Sequence, residues 1–116
     1  MLHEEKKVAK IVEELTMFFF GIGGRDITSS IQVKGRKATI VFTSNYEESY
    51  AHKISCIERM LNSKRNDGIE DIYWELAGSG DPGETSQLLL IGMMIDKATI
   101  TNKDGYVSIR LEKTMI

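Results

Sequence analysis

The chain has 116 residues, the size of a single domain, and its 41% hydrophobic and 28% charged residues are typical of a folded protein. A net charge of −2 argues against the basic excess of a nucleic-acid-binding protein. The longest apolar runs, at 17–20 and 88–95, are too short to span a bilayer, and the charged first residues predict no signal peptide. The single cysteine, Cys56, fits a reducing compartment, and we therefore expect a cytoplasmic domain. The charge balance and the short apolar runs lead us to expect that it binds neither nucleic acid nor membrane.

The first half of the chain predicts one helix followed by a hairpin. Apolar side chains recur three and four positions apart over 4–20, which indicates an amphipathic helix, and the glycine-rich stretch 21–24 ends it. Alternation over 27–33 predicts a half-buried strand. A turn at 34–36 then leads into the β-forming residues 37–43.

The second half predicts three helices and another hairpin. Asn45 and Glu48 have the spacing of a capping box for a helix that ends near residue 64. A shorter helix follows over the apolar stripe of 69–76. The helix 82–96 is apolar on nearly all sides, and its Gly92 would permit close approach of a neighbour. Two strands over 97–101 and 106–112 close the chain as a hairpin, and Asn102-Lys103-Asp104-Gly105 supplies its turn.

These elements predict an α/β (α+β) two-layer sandwich, a single domain over 1–116. Its order is αββαααββ, with two β-hairpins in one sheet and helices packed on one face.

A glycine-rich loop is the most distinctive motif. Gly78, Gly80 and Gly83 open onto a well-capped helix, where free N–H groups favour an anion, and Ser79 and Thr85 could assist with their hydroxyls. The same glycines could simply end one helix, make a turn and start the next. The segment before them reads as helix rather than strand, and this departs from the dinucleotide-binding pattern.

Two further features of the helices are candidate sites. Phe18, Phe19 and Phe20 cover more than one face of the first helix, so at least one of them could mark a partner surface. His52 and Cys56 are four residues apart on a helix, where a catalytic pair could form, although a buried structural thiol is the simpler interpretation. No metal-ligand spacing is present.

The pattern resembles the ATP-binding domain of the GHKL superfamily, which includes histidine kinases and anti-sigma-factor serine kinases. The resemblance covers residues 8 to 113 and rests on the helix around 13–18, the strand and its end at 38–45, and the glycine loop 78–84 with the closing hairpin to 111. The family's magnesium-ligating Asn would fall at about Phe18. Its Asp-x-Gly-x-Gly should follow the second strand, where this chain has neither Asp nor Gly. The resemblance therefore implies a degenerate member that kept the histidine kinase-like ATPase architecture and lost catalysis.

We therefore expect a non-catalytic regulatory or protein-interaction domain that binds a protein partner or its own copy. The alternative is a nucleotide- or anion-binding domain that uses the loop 78–85. No cofactor is expected, and ATP is the one nucleotide that the resemblance would allow.

Overall fold

The computed structural model describes residues 2–62, 91–92 and 94–115. Within them the elements are helix α1 (Leu2–Gly21), strands β1 (Ile27–Lys34) and β2 (Lys37–Asn45), a 3-10 turn (Glu48–Tyr50), helix α2 (Ala51–Asn62), and strands β3 (Lys97–Lys103) and β4 (Tyr106–Thr114). Residues 91, 92 and 94 are helical. The predicted helix over 69–76 and the predicted start of the next helix at 82 lie outside the described residues.

The four strands form one antiparallel sheet with the order β1-β2-β4-β3. Both predicted hairpins are therefore confirmed, and their second strands meet at the centre, where Val41 lies opposite Arg110. The second hairpin turns on Asp104 and Gly105, which both have positive φ, as a type I′ turn requires. The two first strands, β1 and β3, become the two edges of the sheet.

The core lies between the helices and one face of the sheet. Burial alternates along β2 and β4, and most of their inward side chains are apolar. Helix α1 packs on β2, and α2 packs on β3. The buried apolar residues of the two central strands are Ala38, Ile40, Phe42, Val107, Ile109 and Leu111. The prediction of an α+β protein with helices on one sheet face is thus confirmed for the described residues.

The end of α1 follows from its glycines. The Gly24 N–H donates to the Phe19 carbonyl at 2.7 Å, and the Gly23 N–H donates to the Phe20 carbonyl at 3.2 Å. This pair of bonds is a Schellman motif, and Gly23 occupies its left-handed position with φ +91. The predicted helix stop is confirmed, and it turns the chain directly into the edge strand β1.

Gly92 makes the close approach that the sequence predicts. A Cβ atom at this position would lie 2.6 Å from the backbone carbonyl oxygen of Met60, near the end of α2. The absence of a side chain therefore lets the helical residues around Gly92 touch the backbone of α2.

The predicted capping box at Asn45 is wrong. Strand β2 continues to Asn45 because its pairing with β4 extends to Tyr106. The Asn45 Oδ1 instead accepts hydrogen bonds from the backbone N–H groups of Arg25 and Asp26, at 2.7 and 3.0 Å. Asn45 therefore fixes the entry into β1, and α2 begins only at Ala51.

Candidate functional site

The glycine loop 78–85 is the predicted ligand-binding site. Its candidate ligand-binding residues all lie outside the described part of the chain, and the anion-binding role therefore stays a prediction. These residues are Gly78, Ser79, Gly80, Gly83 and Thr85.

The three phenylalanines of α1 separate into core and surface. Phe18 and Phe19 are buried and meet edge to face with ring centroids 5.4 Å apart, and Phe19 lies 5.3 Å from the Phe42 ring. Their side chains belong to the core, so the predicted partner surface has to be corrected to exclude them. Phe20 is 51% exposed and remains a candidate.

A second exposed apolar residue accompanies Phe20. Met17 is also 51% exposed and lies one helical turn before it, so the two side chains share a face of α1. One face of a two-layer domain buries only one stripe of a helix, which explains why three consecutive phenylalanines cannot all enter the core. The pair is small for a partner surface.

The larger apolar exposure is on β1. Ile31 and Val33 lie opposite Ile40 and Ala38, and therefore point to the helix-covered face of the sheet, yet they are 47% and 53% exposed. The expectation of a half-buried strand is wrong because β1 is an edge strand that the described helices leave largely exposed, and only its Ile27 packs against the core.

The other edge shows the contrast. On β3, Ala98 is buried, and Ile100 packs against the core beneath α2. The two edges occupy matching positions in the sheet but differ in coverage. Alternation of residues along a strand does not reveal which strand is an edge, so the exposed surface of β1 could not be predicted from the sequence.

A buried ion pair joins the start of α1 to β4. The Lys113 Nζ lies 3.2 Å from the Glu4 Oε1 and donates to the Met94 carbonyl at 3.2 Å, while the Lys7 Nζ lies 2.8 Å from the Glu4 Oε2. The hydrogen bond from Lys7, together with the nearby Lys113, lowers the pKa of Glu4 from 4.5 to about 2. With two lysines against one carboxylate, this cluster holds elements together rather than supplying an acid or a base.

Glu4 should make the fold sensitive to acid. Its pKa is lowered in the folded state, so its stabilisation is complete above pH 4.5 and is lost as the pH falls toward about 2. We expect the free energy of unfolding of Glu4→Gln to fall less steeply than that of the wild type across this window, which urea titrations at several pH values would measure. Parallel pH profiles for the two proteins would contradict the assignment.

The geometry of His52 and Cys56 favours a structural role for the cysteine over a catalytic pair. Cys56 is buried in the core, where the Arg59 Nη2 donates to its Sγ at 3.5 Å, whereas His52 is exposed. Among the described residues no group of three His, Cys, Asp or Glu side chains could hold a metal ion. No helix in the same part of the chain combines the length and apolar character needed to cross a membrane.

No family model, curated protein or solved structure matches this chain. Among the described residues, the most distinctive feature is the exposed edge strand β1. The exposed pair Met17 and Phe20 on α1 is a second candidate surface.

Proposed function

We propose that this chain is a non-catalytic regulatory or protein-interaction domain, built on a degenerate GHKL-type ATPase scaffold, that associates with a second copy of itself through β1. The observation that carries the proposal is the exposure of Ile31 and Val33 on the helix side of an edge strand.

The scaffold part of the proposal is supported by the layering and by Phe18. Two hairpins in one sheet, with helices on one face, agree with the architecture that the resemblance implies. Phe18 stands where the family's metal-ligating Asn would fall, and its ring is buried in the core. A hydrophobic core position at that point supports a domain that has exchanged metal-dependent chemistry for stability.

The edge itself lacks the protection that natural sheets use. Edge strands are usually shortened, bulged, covered or given charges and prolines along their length, because their free N–H and C=O groups recruit other strands. Strand β1 is eight residues long, and its pairing with β2 is continuous over Ile27–Lys34. Its only charged residue is the last one, Lys34.

Pairing with a second copy satisfies this edge without conflict. In an antiparallel pair whose twofold axis passes through Gln32, Ile31 of one copy lies opposite Val33 of the other, on the helix-covered face of both sheets. Apolar side chains then meet apolar side chains across the junction. The two Lys34 residues lie on opposite sides of the axis, and each falls opposite a serine, Ser30.

The test is the mass of the protein in solution. We expect wild-type protein to form a concentration-dependent dimer in sedimentation equilibrium. Ile31→Lys should be monomeric, because a charge in the middle of the edge opposes pairing. Its effect on the fold should stay below about 1 kcal/mol, because the side chain is already half-exposed.

Two matched lysine substitutions decide which surface is responsible. Thr101→Lys places the same charge on the opposite edge strand and should leave the dimer unchanged. Phe20→Lys tests the surface on α1 and should also leave it unchanged. A wild-type monomer at all concentrations, or a dimer that only Phe20→Lys disrupts, would refute pairing through β1.

A further inference from the structure

The outer face of the sheet, away from the helices, contains a cationic hollow. It has a volume of about 260 Å³ and is lined by residues from three adjacent strands. Gln32 and Lys34 come from β1, Lys37 and Thr39 from β2, and Arg110 from β4. Every described residue of this lining is polar or charged, and none of them is acidic.

The charges around the hollow are unbalanced. Lys34 and Lys37 lie directly opposite each other across β1 and β2, an arrangement of like charges that is unfavourable in a sheet. The nearby carboxylate of Glu112 lies 2.7 Å from the Lys37 Nζ. The hydrogen bond from Lys37, and the charges of Lys97 and Arg110, lower the pKa of Glu112, so one carboxylate serves several cations. The net charge of −2 for the whole chain conceals this local excess.

We propose that this hollow binds the diphosphate group of a small phosphate ligand. A bound dianion or trianion would separate the opposed charges of Lys34 and Lys37 and pair with the guanidinium of Arg110, whose fork suits phosphate oxygens. Gln32 and Thr39, which lie opposite each other on the two strands, add neutral donors.

The size of the hollow selects the ligand. Pockets for drug-sized ligands measure roughly 300–1,000 Å³. This hollow is smaller, and its described lining residues are all polar or charged, so it suits the diphosphate rather than a whole nucleotide. None of the described residues that line it has an aromatic or aliphatic side chain on which a base could pack. The hollow is complete within one copy of the chain, and this inference therefore does not depend on pairing through β1.

Calorimetric titration with inorganic pyrophosphate at low ionic strength tests the proposal. We expect saturable binding that Arg110→Gln weakens by about tenfold or more, the usual consequence of losing a hydrogen bond to a charged group. Lys103→Gln is the matched control. It removes one positive charge from the same sheet face, but it lies outside the hollow and should change the affinity by less than about twofold.

Lys34→Gln distinguishes a loss of binding from a loss of folding. It removes one of two opposed cations, so the unliganded variant should be at least as stable as the wild type while binding pyrophosphate more weakly. A variant that is both less stable and weaker in binding would point to misfolding and overturn the assignment of Lys34.

Three further titrations, with ADP, AMP and a single-stranded oligonucleotide, distinguish free pyrophosphate from a diphosphate carried by a nucleotide. ADP should bind like pyrophosphate if the group can be carried by a nucleotide, and weaker binding of ADP restricts the ligand to the free anion; AMP should bind weakly in either case. Three results would overturn the proposal. They are equal affinities for AMP and pyrophosphate, a loss of pyrophosphate affinity in Lys103→Gln as large as that in Arg110→Gln, and tighter binding of a single-stranded oligonucleotide than of pyrophosphate. The absence of saturable pyrophosphate binding would also overturn it.

Discussion

Replacing Phe19 by alanine is expected to lower the free energy of unfolding by about 3–5 kcal/mol, whereas the same change at Phe20 should cost less than about 1 kcal/mol. Phe19 is fully buried against Phe18 and Phe42, so its removal leaves a cavity between α1 and the sheet. Phe20 is half-exposed, and its truncation removes little buried surface.

Urea denaturation followed by circular dichroism measures both variants, and the adjacent residue serves as the control. A domain of this size has a total stability of roughly 5–15 kcal/mol, so Phe19→Ala could lack a folded baseline. Phe19→Leu removes fewer atoms and should then show a transition between those of the wild type and the alanine variant. Equal losses at Phe19 and Phe20 would mean that α1 is rotated relative to the sheet.

Gly92→Ala should destabilise the protein by about 1–3 kcal/mol, although alanine is intrinsically about 1 kcal/mol better than glycine in a helix. The new Cβ would meet the Met60 carbonyl oxygen at 2.6 Å, and a backbone atom cannot move aside as the end of a side chain can. The helical residues 91 and 92 and the end of α2 would have to separate.

The control for this prediction is Gly21→Ala. Gly21 is an exposed residue at the end of α1 and does not have a positive φ, so alanine should be neutral or slightly stabilising there. A shift of the urea midpoint at Gly92 that is no larger than the shift at Gly21 would show that the contact with Met60 is absent.

The elements that depend on local chemistry could be predicted from the sequence. The glycines at 21–24 predict the end of α1, and Asp104 and Gly105 predict a hairpin turn. Gly92 predicts the close approach of a neighbouring element, which is the backbone of α2 at Met60. In each case a glycine carries the signal, because glycine tolerates a left-handed backbone conformation and has no Cβ.

Features that depend on tertiary pairing could not be predicted in this way. Asn45 has the chemistry of a helix cap, but continued pairing with β4 keeps it in a strand. Strand β1 has the alternation of a half-buried strand, but the order of the sheet places it at an edge, where every residue after Ile27 is exposed. The cationic hollow combines residues from β1, β2 and β4 that no local pattern connects.

Hydrogen exchange at low and high protein concentration tests the central claim, pairing through β1, most directly. Strands β1 and β3 are both edges, so each carries backbone N–H groups that point away from the sheet. Pairing predicts that the outward amides of Ile27–Lys34 exchange more slowly as the concentration rises, while those of Lys97–Lys103 do not change. Rates on β1 that are independent of concentration, or slowing confined to β3, would contradict it.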